Sequence, residues 1–240
     1  MNWHLAEVLD VVRETPRASS VVLDIPDWPG HLAGQHVDVR LTAEDGYQAQ
    51  RSYSISSAPD EPRVTITVER LEDGEVSPYL TDELRTGDRL ELRGPIGRWF
   101  VWDEEDGGPL LLIAGGSGVC PLMAMLRQRA ANASRVPARL LYSARDLGAV
   151  IFRSELERLG TGGGLEVSLT LTREPSPDWT GYGRRVDAEM LADVAWPPER
   201  MAVTYVCGPT PFVETVAESL VALGQDAGRI RTERFGPTGG

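Results

Sequence analysis

The apolar residues of this 240-residue chain follow two different rhythms, and the change falls near residue 103. Before it, VVLDI (21–25), HVDVRL (36–41), RVTITVE (63–69) and RLELRG (89–94) alternate apolar and polar side chains, with the turn formers WPGH, EDGY, APDEP and RTGD between them. A period of two buries one face of each strand and wets the other, so this half predicts an antiparallel barrel or sandwich. After the acidic, glycine-rich DEEDGGP (103–109), LLLIA (110–114) is a continuous apolar run, as a parallel strand covered on both faces requires. Helix-like and strand-like segments then alternate: a helix carrying Leu122, Met125 and Leu126, a strand at ARLLYSA (138–144), a helix at IFRSELERL (151–159), then GGGLEVSLTLT, DAEMLADV, MAVTYVC (201–207), FVETVAESLVALG (212–224) and IRTERF (230–235). That alternation predicts an open, mostly parallel α/β sheet.

Composition narrows the function classes. The net charge is −12, which argues against a general nucleic-acid binder, because phosphate backbones demand local cations. All 24 basic residues are arginine, so any fixed cation in a site must be a guanidinium. No apolar stretch approaches the ~18–20 residues that span a bilayer, and MNWHLAEVLDVVRETP lacks the basic start and long apolar run of a signal peptide. No membrane insertion is expected. Two cysteines, Cys120 and Cys207, make no disulfide framework, and a cytoplasmic protein is expected. His4, His31 and His36 have no ligand spacing and no cysteine cluster nearby, so no metal site is expected.

The second half carries two Gly-rich turns between a strand and a helix. In LLLIAGGSGVCPLMAML, Gly115, Gly116, Ser117 and Gly118 let the backbone approach a ligand, and the following helix offers free N–H groups suited to a pyrophosphate. GGSG departs from both the GxGxxG and the P-loop spacing, and a purely structural tight turn would use the same residues. YVCGPTPFVE repeats the design with Gly208 and Pro209. Ligands of open α/β sheets lie beyond the carboxyl ends of the strands, which places Cys120 and Cys207 near that edge, although core packing also explains a cysteine after an apolar strand. Ser143 and Arg145 follow the second parallel strand and Arg173 the third; arginine matches a ribose 2′-phosphate by bidentate hydrogen bonding, which favours NADPH. Asp146 keeps NADH open.

Residues 51–57, RSYSISS, set a cation, a flat ring and a row of hydroxyls on a strand of the first half. With GEVSPYL (74–80), GPIGRWF (94–100), GGSGVCPL (115–122), VCGPTPF (206–212) and ERF (233–235), in that order, the sequence resembles the ferredoxin–NADP reductase family of flavoprotein reductases over nearly its whole length. The resemblance implies a six-stranded antiparallel Greek-key β-barrel that binds FAD, over residues 1–105, followed by a five-stranded parallel α/β domain that binds NAD(P), over 106–240. It also implies that the barrel holds an isoalloxazine where a nicotinamide delivered by the second domain can reach it.

Residue by residue, the resemblance implies that Arg51 meets flavin phosphate, Tyr53 packs on the flavin and Ser54 lies near its hydride-accepting nitrogen. Alternation along the strand puts Arg51 and Tyr53 on one face and Ser52 and Ser54 on the other. Gly74, Val76 and Ser77 match the segment that receives the pyrophosphate, which points to FAD over FMN. Phe235 matches the aromatic that covers the other flavin face, although GPTGG follows it here. Glu233 matches the acid, and Cys207 the cysteine, beside the nicotinamide, and Cys120 stands where many relatives have threonine. The implied reaction is hydride transfer from NADPH, or NADH, to FAD, with electrons then leaving singly. A two-iron, two-sulfur cluster takes four cysteines, so the expected acceptor is a separate protein, a ferredoxin or similar, serving an oxygenase or a cytochrome P450. Arg98, Arg127 and Arg129 are candidates for a docking patch. A free-flavin reductase and a non-catalytic flavin-binding subunit are the alternatives.

Overall fold

The computed structural model describes residues 2–173 and 177–236, which fall into two compact units: residues up to Trp102 with Met123–Ala131, and Asp103–Leu122 with residues from Asn132 onward. In the first unit, β1 (Trp3–Thr15), β2 (Ala18–Asp24), β3 (His36–Thr42), β4 (Gln48–Ser54), β5 (Val64–Glu69) and β6 (Arg89–Ile96) form one antiparallel sheet in the order β4-β3-β6-β1-β2-β5. Just past β4, Ile55 bridges Ile66 and the Ser56 N–H donates to the Thr65 carbonyl at 2.8 Å. That contact joins the two outermost strands and closes the sheet into a barrel.

Ala6, Val8, Leu23, Val39, Ile66 and Leu92 lie in the barrel core, to which the short helical segment Tyr79–Glu83 and its exit add Leu80 and Leu84. Each fully buried leucine or isoleucine contributes roughly 1.5–3 kcal/mol, whereas exposed ion pairs contribute about 0–1 kcal/mol. The core, not the surface arginines, therefore holds this unit together. The 13-residue β1 is absent from the segments legible in the sequence, for two reasons. Apolar Leu5 and Val12 stand on its exposed face, and register shifts at Val8/Asp10 and Arg13/Thr15 interrupt its alternation.

The second unit runs β7 (Leu110–Gly115), α1 (Val119–Ala131, whose last nine residues count with the first unit), β8 (Ala138–Ala144), α2 (Arg153–Thr161), β9 (Leu165–Leu171), α3 (Ala188–Val194), β10 (Val203–Pro209), α4 (Thr210–Ala222) and β11 (Ile230–Phe235). Its five strands are parallel in the order β11-β10-β7-β8-β9. The chain winds outward from β7 through β9, then returns to the other side of β7 with β10. The strand order therefore reverses between β7 and β10, the position where open α/β sheets bind ligands. Every residue of β7 is buried, which is why its sequence shows no alternation. Helix α4 buries Val213, Val216 and Leu220 on one face and ends before Gly224, whose φ of +88° ordinary residues resist. The link at 103–108 is tied to this unit: Arg231 donates to both carboxylate oxygens of Asp106 at 2.9 and 3.0 Å, and Arg229 to the Gly107 carbonyl at 2.6 Å. Among the described residues, no helix is long and apolar enough to cross a membrane.

Candidate functional site

The stretch RSYSISS divides into two parts with different work. Ile55, Ser56 and Ser57 are buried and form the barrel seam. The Ser56 and Thr67 hydroxyls meet at 2.8 Å, Thr67 and Ser20 at 2.9 Å, and the Thr65 N–H donates to Ser57 Oγ at 3.0 Å. Buried hydroxyls need such partners, so these serines are structural. Arg51, Ser52, Tyr53 and Ser54 instead lie on β4, with Arg51 and Ser52 exposed and Tyr53 and Ser54 half-buried. The expected alternation holds for Ser52, which turns to β3 and donates to Asp38 Oδ1 at 2.6 Å. Tyr53 packs against the barrel core, and burial pushes its phenol well above the usual value, partly offset by the Arg51 charge. Ser54 stands in register opposite His36, whose imidazole burial holds below its ordinary pKa.

Arg51 and the segment GEVS are brought together. Arg51 Nη2 donates to Glu75 Oε2 at 2.6 Å, and Glu75 Oε1 accepts from the Tyr47 hydroxyl at 2.6 Å. Around it the segment is tightly folded. A Cβ on Gly74 would stand 2.7 Å from Ser77 Oγ, which itself accepts the Leu71 N–H at 3.0 Å. The Val76 side chain is fully buried in the barrel core, so only its backbone is available to a ligand. Ser77 is also buried. Neither Glu75 nor Tyr47 stood out in the sequence. Their partnership joins Tyr47 and Arg51 to Glu75, more than twenty residues away in the chain, which no local pattern reveals.

At the reversal point of the second unit, the two Gly-rich turns meet. A Cβ on Gly118 would lie 2.1 Å from the Cys207 carbonyl oxygen and 2.8 Å from the Gly208 N. Gly116 has a φ of +56°, and Gly116–Gly118 make a tight turn into α1. Ser117 is half-exposed on that turn and Pro209 precedes α4. The space beside Gly115 and Gly208 is filled differently. The Phe212 ring lies 3.0 and 2.7 Å from where their Cβ atoms would be. Phe212 is thus a site-shaping residue, visible in the sequence only as part of VCGPTPF. Its packing accounts for Gly115 and Gly208 without a ligand.

Cys207 sits in register between Ala114 of β7 and Glu233 of β11. Burial, then the Glu233 charge, then Cys120 push its thiol well above the ordinary value, so it is a neutral thiol at physiological pH. Burial raises the Glu233 carboxyl to about 7, and its Oε2 is shielded from solvent. This carboxyl can therefore hold or release a proton near neutrality. Cys120 is buried in the first turn of α1, and neither cysteine forms a disulfide. Phe235 ends β11 opposite Pro209 and is 37% exposed. In the following GPTGG, residues 237–240 lie outside those described.

Ser143 stands opposite Gly115 at the end of β8. Arg145 and Arg173 are brought side by side, the Arg173 N–H donating to the Arg145 carbonyl at 2.9 Å. Asp146 turns to its own loop, its Oδ1 accepting the Ala149 N–H at 3.1 Å. The expected docking patch is corrected. Arg129 is buried, and Arg127 donates to the Ser56 carbonyl at 2.7 Å, so of the three candidates Arg98 alone is exposed. Helix α1 is apolar and buried all round from Val119 to Leu126, which carries its later arginines against protein rather than water. No group of three or more His, Cys, Asp or Glu residues among those described is placed to hold a metal.

The donor sets suit the cofactors that the motifs imply. Arg51 already grips an anionic oxygen at 2.6 Å, as a flavin phosphate requires. The Gly118 turn is a backbone cradle that a Cβ would fill.

Comparisons with known proteins agree. Residues 13–101 match the oxidoreductase FAD-binding domain and residues 112–218 the oxidoreductase NAD-binding domain. The chain is 32% identical to the glycine betaine monooxygenase reductase subunit of Chromohalobacter salexigens, over 98% of this chain and 65% of that one. It is 31% identical to the stachydrine N-demethylase reductase subunit Stc4 of Rhizobium meliloti, over 97% and 67%. It thus spans about two thirds of the length of these relatives. The flavohem-like FAD/NAD-binding domain of nitric oxide dioxygenase from Vibrio cholerae superposes with a TM-score of 0.87 at 29% identity, covering 98% of this chain and 99% of that one. The chain belongs to the ferredoxin–NADP reductase-like family of FAD- and NAD-binding oxidoreductases.

Proposed function

We propose that this chain is a reductase that takes a hydride from NADPH onto bound FAD and passes the electrons to a separate acceptor protein, a ferredoxin or similar, serving an oxygenase. The observation that carries the reading is the meeting of three distant segments at the reversal point of the parallel sheet: the Gly118 turn against the Cys207 backbone, with Glu233 in register beside Cys207. FAD, when bound, supplies the conversion of a two-electron input into one-electron outputs. The residues of the chain supply binding and orientation.

On the flavin side, Arg51 holds phosphate, Gly74, Val76 and Ser77 offer backbone and hydroxyl to the pyrophosphate, Tyr53 packs on the ring system and Ser54 hydrogen-bonds its polar edge. On the dinucleotide side, Gly115, Gly116, Ser117 and Gly118 receive the pyrophosphate, and Gly208 and Pro209 shape the opposite wall. The neutral Cys207 thiol packs beside the nicotinamide, Glu233 holds a proton next to it, and Phe235 covers the flavin. Arg145, Arg173 and Ser143 favour NADPH, because guanidinium and hydroxyl groups suit a ribose 2′-phosphate. The separate acceptor accords with relatives named as reductase subunits of a monooxygenase and a demethylase. The two cysteines outside any disulfide accord with a reducing cytoplasm.

Anaerobic mixing tests the proposal. A yellow protein bleached by NADPH, with the reduced flavin then reoxidised by ferredoxin, is expected. A yellow protein indifferent to NADPH and NADH would instead be a flavin-binding subunit. The pairing of Arg51 with Glu75 favours one second reading, a free-flavin reductase. Its mark is a colourless protein that oxidises NADPH only with added flavin.

A further inference from the structure

We infer that Glu75 is a built-in competitor for the flavin phosphate, held in place by Tyr47, and that it sets how tightly this chain retains FAD. The inference rests on the reading that Arg51 binds that phosphate. Arg51 Nη2 donates to Glu75 Oε2 at 2.6 Å, and Arg51 Nη1 is used by the Gln50 carbonyl at 2.7 Å. The other carboxylate oxygen accepts the Tyr47 hydroxyl at 2.6 Å, so both oxygens are engaged. These two partners also hold the Glu75 carboxyl below the ordinary range, so it is ionised at neutral pH.

The backbone on either side of Glu75 is fixed. Val76 is fully buried, and Gly74 has no room for a Cβ against Ser77. The carboxylate is thus anchored within reach of the cation that a phosphate must claim. An incoming phosphate has to displace Glu75 from the guanidinium or share it against like-charge repulsion. The pair is about half-exposed, with side chains 52% and 45% accessible, so the competition is in water and modest. Removing it should tighten FAD binding by a factor of up to about five.

The test is an equilibrium titration of the full chain, stripped of flavin, with FAD, read by quenching of flavin fluorescence. Glu75→Gln is expected to lower the Kd by about two- to fivefold, and Tyr47→Phe to lower it by a smaller factor, because the carboxylate loses one tether. Arg51→Ala is expected to raise it. Three results would overturn the inference. If Arg51→Ala weakens binding but Glu75→Gln leaves the Kd unchanged, Glu75 does not compete, and the phosphate reading of Arg51 survives. If Glu75→Gln weakens binding, Glu75 positions Arg51 for its ligand. An unchanged Kd for Arg51→Ala removes the phosphate reading itself, and the competition with it.

Discussion

The two candidate binding clusters, one in each unit, are built on opposite principles. The cluster on β4 is made of side chains. Arg51 on β4, Tyr47 just before it and Glu75 in the 74–77 segment hold one another, with Ser52, Asp38 and Arg93 alongside on the other face. The cluster at the reversal point of the parallel sheet is made by leaving side chains out, so that the turn at Gly118 lies against the backbone of Cys207 and Gly208. A site of the first kind is graded, since losing one partner trims affinity while the strand stays in place. A site of the second kind is brittle, because a single methyl group must move main chain.

Gly118→Ala is where this contrast should be largest. Its Cβ would overlap a carbonyl oxygen at 2.1 Å, and a methyl group has no rotamer that avoids the Cys207–Gly208 peptide. Overpacking of this kind costs about 1–3 kcal/mol or more, and here it also displaces the turn offered to the dinucleotide. NADPH binding should fall by more than about 100-fold, roughly the factor set by 2.7 kcal/mol, with a lower Tm, while FAD stays bound. Near-normal NADPH affinity in this variant would break the comparison.

The next effect is on stability against pH. Glu233 is raised from 4.5 to about 7 by burial, so the folded state binds its proton more tightly than the unfolded chain does. Its contribution is therefore fully present below about pH 4.5 and is lost as pH rises to about 7, by at most about 3 kcal/mol. His31 and His36 are held below 6.5 by burial, so they act in the opposite sense, losing stability as pH falls below that value. The difference between wild type and Glu233→Gln isolates the acid. Wild type should lose stability relative to the variant between pH 4.5 and 7, and urea melts across that range measure it. Parallel curves would mean that the carboxyl titrates as an ordinary exposed glutamate.

What the sequence disclosed follows the same division. The continuous run of β7 and the Gly-rich turns were legible because burial on both faces and missing side chains are local properties. The marker segments on β4 and at residues 74–80 were legible as motifs. What the side chains of that cluster do was not. Glu75 acquires its role only when β4 and the 74–77 segment meet, and Ser56 and Ser57 become seam residues only when the barrel closes. Phe212 is legible only as part of VCGPTPF, yet its ring is what fills the space beside Gly115 and Gly208. Arg127 and Arg129 are docking-patch candidates in the sequence because charge is visible there and the packing around the end of α1 is not. The long strand β1 was hidden by apolar residues on its exposed face.

Arg145 offers the smallest and sharpest test, since its proposed role rests on its side chain and not on backbone. If it reads a ribose 2′-phosphate together with Arg173, it should behave like the graded site in the first unit. Arg145→Ala should lower the preference for NADPH over NADH by about tenfold or less, the worth of one charge-assisted contact, with the reduction rate at saturating nucleotide little changed. Asp146 is the competing reader, since among the described residues only its Oδ1 is engaged, by the Ala149 N–H. Comparing kcat/KM for both nucleotides in wild type and variant measures the ratio directly. An unchanged ratio, with Asp146→Ala weakening NADH alone, would transfer the reading of the ribose from the arginines to the acid and make NADH the working donor.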